Sequence, residues 1–338
     1  MEKIRSVVAV LVDGDNGFTH SPSHTTIMKY AAYVAFALLG VIWGTSFIFT
    51  KWAAVWISTG QIVLLRVLFG FVPVLVAALA SRSLRWWHLR HAHHFLVMAL
   101  LATVVYYFAF AKGTALLLSS VAGMLSGAIP LFSFLAALLF LREEPLNRRC
   151  IAGIVMGFIG VLLAARPWTS GASQVSLVGV LYMLGGAFSV GCSFVYARKF
   201  LSPLGIPPVA LCCYQIGTAL VILLLVTDLH GATRILNDER ASLGLALGLG
   251  LTGTGIAYIL YYFIVQRLGA MAAAGVTYIP PVVALFIGCV LASEPLRTLD
   301  VIAIAAILLG VFILQSARSG RRAQVPAIAR PMRCEERA

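Results

Sequence analysis

Charge is scarce in this sequence: of 338 residues only 11% are Asp, Glu, Lys or Arg, while 61% are hydrophobic. A soluble globular chain is closer to a quarter charged and half apolar. So little charge cannot cover a water-facing surface, which argues against a soluble enzyme and leaves no room for a separate soluble domain. The six cysteines (Cys150, Cys192, Cys212, Cys213, Cys289, Cys334) form no CxxC pair. Five of them lie in or beside apolar stretches, where a thiol serves as a small hydrophobe. A structural zinc site takes four closely spaced Cys or His ligands, so neither a metal nor a cofactor is expected. Carboxylates are missing from the centres of the apolar stretches: all twelve lie outside them. That disfavours a proton/cation antiporter built on a central membrane carboxylate. It equally disfavours an intramembrane hydrolase, which needs a clustered acid/base or metal constellation. The N-terminus lacks the long apolar core of a signal peptide, because Val7 to Val12 breaks at Asp13-Gly14-Asp15.

What is present is a series of apolar stretches at about 31–50, 60–80, 95–117, 120–141, 149–165, 176–197, 207–227, 241–264, 271–292 and 299–316. Each approaches the roughly 20 residues that cross a bilayer core. The expected fold is an all-α membrane protein of ten transmembrane helices. Small residues four apart, Gly153/Gly157 and Gly244/Gly248, suit close helix packing. The net charge of +13 would suggest nucleic acid as the partner of a soluble protein. Here the cations crowd into connections and the C-terminal tail, so the bilayer and a small-molecule substrate are the expected partners and nucleic acid is not. A homodimer is left open. With the N-terminus placed in the cytoplasm, the tails and even-numbered connections hold 18 Lys and Arg and the opposite connections hold 6. The positive-inside rule then puts both termini in the cytoplasm of a multi-pass cell-membrane protein, of the bacterial inner-membrane kind.

The chain repeats itself. At an offset of 150, Pro130 falls on Pro280, Glu144-Pro145-Leu146 on Glu294-Pro295-Leu296, and Gly160-Val161 on Gly310-Val311. At 147, Gly44-Thr45-Ser46-Phe47 falls on Gly191-Cys192-Ser193-Phe194, with Lys51 on Arg198. Five-helix repeats are therefore expected at 31–167 and 176–317, with tails at 1–30 and 318–338. An odd number of crossings per half inverts the second copy, a plan that puts a transporter's substrate site near the midplane between halves.

Trp43-Gly44-Thr45-Ser46-Phe47 with Lys51 in the first span, Arg66 in the second, and the two Pro…Glu-Pro-Leu segments ending the fourth and ninth spans resemble one known family. It is the EamA-type branch of the drug/metabolite transporter superfamily, and the resemblance covers about residues 30–317. It implies an exporter, often of amino acids, related metabolites or drugs, with a cavity lined by spans 1, 3, 4, 6, 8 and 9. One departure is that Tyr106-Tyr107-Phe108 matches Tyr261-Tyr262-Phe263 at an offset of 155.

Among single residues, Arg66 stands out, since a cation inside a span costs several kcal/mol unless it is paired or faces water. Two readings stand for it: fastening neighbouring carbonyls or snorkelling outward, and contact with a substrate carboxylate. Pro130, Pro280 and Pro281 free backbone carbonyls, which mark either a cavity or packing kinks. If a cavity, Ser126 and Val276, four residues before each proline, face water. Trp43, Tyr106, Tyr107, Tyr182, Tyr258 and Tyr278 lie inside spans and need partners for their polar atoms. With Ser46 they complete the candidate substrate-binding set. Glu144 and Glu294, at span ends on opposite sides, are helix caps or alternating gates. Gly248-Leu-Gly250-Leu-Thr-Gly253 spells a dinucleotide fingerprint without the strand it requires, so its glycines read as packing residues. His88, His91, His93 and His94 read as an interfacial loop.

A periplasm-active reporter fused after residue 317 should be silent, and one fused near Asp238 active. The reverse pattern overturns the orientation.

Overall fold

A computed structural model describes residues 22–141, 147–168 and 175–322. Its regular structure is helical throughout, with ten apolar segments in chain order: α1 (Tyr30–Ala53), α2 (Thr59–Ala80), α3 (Trp86–Leu116), α4 (Ser119–Leu141), α5 (Arg148–Ala165), α6 (Leu177–Leu204), α7 (Pro208–Val226), α8 (Glu239–Leu268), α9 (Val276–Leu291) and α10 (Thr298–Ser316), and a short 3-10 turn at Ala232–Asn237 before α8. Among the described residues nine are long and apolar enough to cross a membrane, and α9 is apolar but shorter. The backbone of the first helix is already helical at Pro22 and that of the last continues to Arg322, past the expected tail boundaries. Another difference is at α3. The histidine segment expected as a loop is helical from Trp86, because Phe95 stacks on Tyr214 of α7 at 4.8 Å and His88 meets the same ring edge-on at 5.7 Å. Tertiary packing there recruits residues whose own propensity is indifferent.

Local sequence explains the helix starts. Ser58 and Gln61 form a reciprocal capping box at α2. Asn147 caps α5 by accepting from the Cys150 N–H at 2.7 Å, and Ser176 and Asp238 cap α6 and α8 in the same way. Gln61 also donates to the carbonyls of Asp228 and His230, at 2.8 and 2.9 Å, tying α2 to the connection before α8.

The helix pairings carry the repeat. α1 packs on α8 and α9 as α6 packs on α3 and α4; α2 lies on α8 as α7 lies on α3; and α2 meets α7, α4 meets α9, and α5 meets α10. Exchanging the first five helices for the last five maps this set onto itself, as a two-fold relation between inverted halves requires. The symmetry is incomplete. α1 also packs on α3 and α4, whereas among the described residues α6 has no comparable contact with α8 or α9.

α5 and α10 meet backbone to backbone through small residues. A Cβ added at Gly310 would lie 2.7 Å from the Gly153 carbonyl oxygen and 2.7 Å from the Gly157 Cα. Neither atom can move as a side-chain tip can. Gly310→Val should therefore destabilise the bundle by about 1–3 kcal/mol, the range for overpacking, read as a lower unfolding temperature in detergent. Gly185→Val, where a Cβ meets nothing within 4 Å, should leave that temperature unchanged. Equal behaviour of the two variants would refute the backbone contact.

Candidate substrate site

Arg66, half-buried on α2, is held between α8 and α3. Its Nε donates to Thr254 Oγ1 at 3.0 Å, its Nη2 reaches the Gly253 carbonyl at 3.5 Å, and its Cζ stands 4.0 Å from the centroid of the Tyr107 ring. Both α8 partners belong to a π-helical stretch, Gly244–Ile256. Its glycines let Phe49, Phe69 and Pro73 approach the backbone closely, and a wide turn displaces carbonyls from the regular ladder. π-Segments of this kind gather at functional sites. Thr254 sits between the two systems, accepting from Arg66 and donating to the Leu249 carbonyl at 3.0 Å. Among the described residues no carboxylate pairs with Arg66; the ion pair formed there is Arg166 with Asp300. A cation–π contact is worth about 2 kcal/mol when desolvated, against several for holding the charge in a membrane. The guanidinium has five N–H donors, so hydrogen-bonding capacity remains for an anion.

The structure collects part of the expected set around this arginine. Tyr107 is 5% exposed, lies 5.0 Å from the Tyr106 ring and interacts with the Tyr258 hydroxyl. Tyr106 stands edge-on to Phe110 at 4.5 Å. Ser46 donates to the Ile42 carbonyl at 3.1 Å and lies beside Gly253. Trp43 sits apart from Arg66, tilted on Tyr261 at 6.1 Å. Tyr278 turns away to the α9–α10 seam, where its hydroxyl donates to the Val311 carbonyl at 3.3 Å. Tyr182 is half-buried on α6 and, among the described residues, has no ring contact with the cluster. A buried pair that sequence reasoning missed, Gln215 donating to Thr103 at 3.0 Å, continues the polar core one turn beyond Tyr107. Thr103 lies in a second π-helical stretch, Leu100–Val104.

The proline breaks are real but packed. α4 stops at Ser126, turns at Gly127–Ala128 and restarts at Ile129, with Pro130 in the new first turn, where a missing N–H costs nothing. Pro280 and Pro281 occupy the first turn after a 3-10 stretch, Val276–Tyr278, and Pro281 lies against Gly127. Ser126 and Val276 do not face water. Ser126 is 6% exposed and donates to the Gly123 carbonyl, while Val276 is fully buried among Ala32, Leu39 and Phe263.

One end of the bundle is laced together. Glu294, past the end of α9, accepts from the Ser119 N–H and hydroxyl at 2.7 and 2.8 Å and from the Ser120 N–H at 2.9 Å, capping α4 from the other half. Burial pushes the Glu294 carboxyl up, but the hydrogen bonds from Ser120 and Ser119 outweigh it and hold it below the usual glutamate range. A depressed pKa means that the cap is present at neutral pH and is lost only on acidification through that lowered value. Lys51 at the end of α1 donates to the Leu117 carbonyl and lies 3.5 Å from those of Thr114 and Ala115. Trp56 donates to Asp238 at 3.2 Å. Glu144 lies outside the described residues. Among the described residues no group of three His, Cys, Asp or Glu side chains is placed to hold a metal ion.

Two inverted helical halves around a buried polar cluster define a multi-pass membrane protein of the transporter type. A model of the EamA-like transporter family matches residues 31–166 and again 177–316, and the chain belongs to that family. An uncharacterized transporter of Archaeoglobus fulgidus is 23% identical over 85% of this chain and 99% of its own length. The uncharacterized inner membrane transporter YedA of Escherichia coli K12 is 25% identical over 58% of this chain and 61% of its own. A probable amino-acid metabolite efflux pump of Salmonella typhimurium is 24% identical over 52% and 60% respectively. A crystal structure superimposes with a TM-score of 0.53 at 21% identity, covering 87% of this chain and 99% of that one, a likeness of fold alone.

Arg66→Ala should leave membrane expression within about twofold of the parent and cut transport severely, because a membrane charge without a carboxylate partner is retained for a use. Full transport by the variant, measured in the same vesicles, would leave only the carbonyl-fastening role.

Proposed function

We propose that the protein is a secondary-active exporter of small neutral or zwitterionic metabolites, amino acids or related compounds foremost and drugs among the alternatives, working by alternating access. The observation that carries this reading is Arg66: a cation within the membrane, stacked on Tyr107 and unmatched by any described carboxylate. Such a group accepts the negative end of a substrate whose body lies on Tyr106, Tyr107 and Tyr258. The relative described as a probable amino-acid metabolite efflux pump supports the substrate class.

The asymmetric pairings support the mechanism. α1 closes on α3 and α4 at the end that Lys51 and Glu294 lace, while α6 makes no comparable approach to α8 and α9 among the described residues. With the termini in the cytoplasm, this is a state shut toward the outside. Opening that end requires the carboxylate to leave α4, through a rocking of the halves driven by substrate or a gradient. Glu144 is the corresponding gate of the other half. The same fold run as an importer or exchanger is the nearest rival, and an integral membrane enzyme or assembly subunit is the reading from another class.

Purified protein in liposomes, without partners, should move members of a panel of amino acids and related metabolites, with rates compared with and without a pH gradient. Glu294→Ala should make a cysteine at position 120, in an otherwise cysteine-free chain, react faster with a hydrophilic thiol reagent. Failure to move any solute points to the enzyme or subunit reading, and unchanged reactivity sinks the gate.

A further inference from the structure

The described carboxylates gather at one end of the bundle. The carboxylates among the described residues, Asp228, Asp238, Glu239, Glu294 and Asp300, all lie in or beside the α7–α8 and α9–α10 connections. At the opposite end the α2–α3 and α6–α7 connections carry none, and Glu143 and Glu144 of the α4–α5 connection lie outside the described residues. There the first turns of α3 meet the last turns of α6 through a run of histidine and aromatic rings with a cation at each end. Arg90 lies over the Trp87 ring at 5.3 Å, and its Nε donates to His91 Nε2 at 3.0 Å. His91 stacks on His94 at 6.2 Å, and His93 meets His94 at 4.0 Å. His94 pairs with the Tyr196 hydroxyl at 2.7 Å and stacks on Phe200 at 5.8 Å, over which Lys199 stands at 5.5 Å.

We propose that this surface, from Arg90 through the histidines to Lys199, binds the phosphate of an anionic phospholipid in the adjoining leaflet. Arg90 and Lys199 are exposed, and a guanidinium presents parallel N–H groups to phosphate oxygens. Trp86, four residues before Arg90 in the same 3-10 helical turn region, is 89% exposed. An indole so exposed is costly in water but sits well at headgroup depth, where tryptophan collects. A soluble anion would satisfy the cations and leave the indole in water; a phospholipid occupies both. Basic sites between helices at the positive end of a membrane protein are where anionic headgroups lodge. The proposal stands apart from the transport reading, since it requires no substrate.

The test uses the full chain in phosphatidylcholine nanodiscs titrated with phosphatidylglycerol, with bound lipid counted by native mass spectrometry. Each cation near an anionic headgroup contributes about fivefold in affinity, so R90Q/K199Q should weaken phosphatidylglycerol retention about 25-fold. Arg148→Gln with Arg149→Gln, which removes two exposed cations from the start of α5 at the same face, should weaken retention by well under about 25-fold, since among the described residues those cations have no aromatic wall beside them. Should R90Q/K199Q not fold in phosphatidylcholine, Lys199→Gln alone carries the test, with about a fivefold loss. Equal losses in the two double variants would mean a diffuse field rather than a site. Displacement of the lipid by inorganic phosphate at matching concentration would mean a soluble-anion site. Either result overturns the proposal.

Discussion

The core of a bilayer supplies no hydrogen bonds, so every backbone group released from a helix has to find its partner within the protein. Much of the arrangement follows from that constraint. Where α8 widens into its glycine-rich π-stretch, Arg66 and Thr254 take up displaced groups. Where α3 ends, the carbonyls of its last turn receive Lys51. Where α4 begins, its first amides meet Glu294. Irregular backbone is therefore concentrated where polar side chains converge, and convergent polar side chains in an apolar solvent are what a substrate site consists of.

The helices and the internal duplication were legible because they rest on composition and on short motifs that recur at fixed offsets. Arg66 was legible as a charge in the wrong solvent, and the break near Pro130 as a residue without an N–H. What joins them was not. Arg66 and Gly253 are 187 residues apart, and no local pattern announces that pairing. The glycines at 248, 250 and 253 were rightly read as permitting close approach, but not as a change of helical pitch, since that depends on what packs against them. Tyr278 and Trp43 carry the residue type expected of a cavity lining and yet spend their contacts on the α9–α10 seam and on Tyr261. Residue type inside a span says that a partner is needed, not where it is.

The histidine-rich start of α3 shows the same limit from the other side. Read alone, four histidines with arginines and tryptophans look like a water-exposed connection. Packed against Tyr214, Tyr196 and Phe200, they become a helical wall. The identity of the segment is decided by α6 and α7, more than a hundred residues downstream.

The cap on α4 has a bearing on how the protein is made. Ser119 and its acceptor Glu294 are separated by 175 residues. A chain inserted from its N-terminus therefore carries α4 through synthesis of most of the second half without this carboxylate, which is supplied only once the ninth helix has arrived. Each half is thus an incomplete object. A gene encoding the first five helices alone would yield a segment whose fourth helix lacks its N-terminal acceptor, so fusion of two ancestral copies into one polypeptide would supply, beyond proximity, the group that terminates a neighbour's helix.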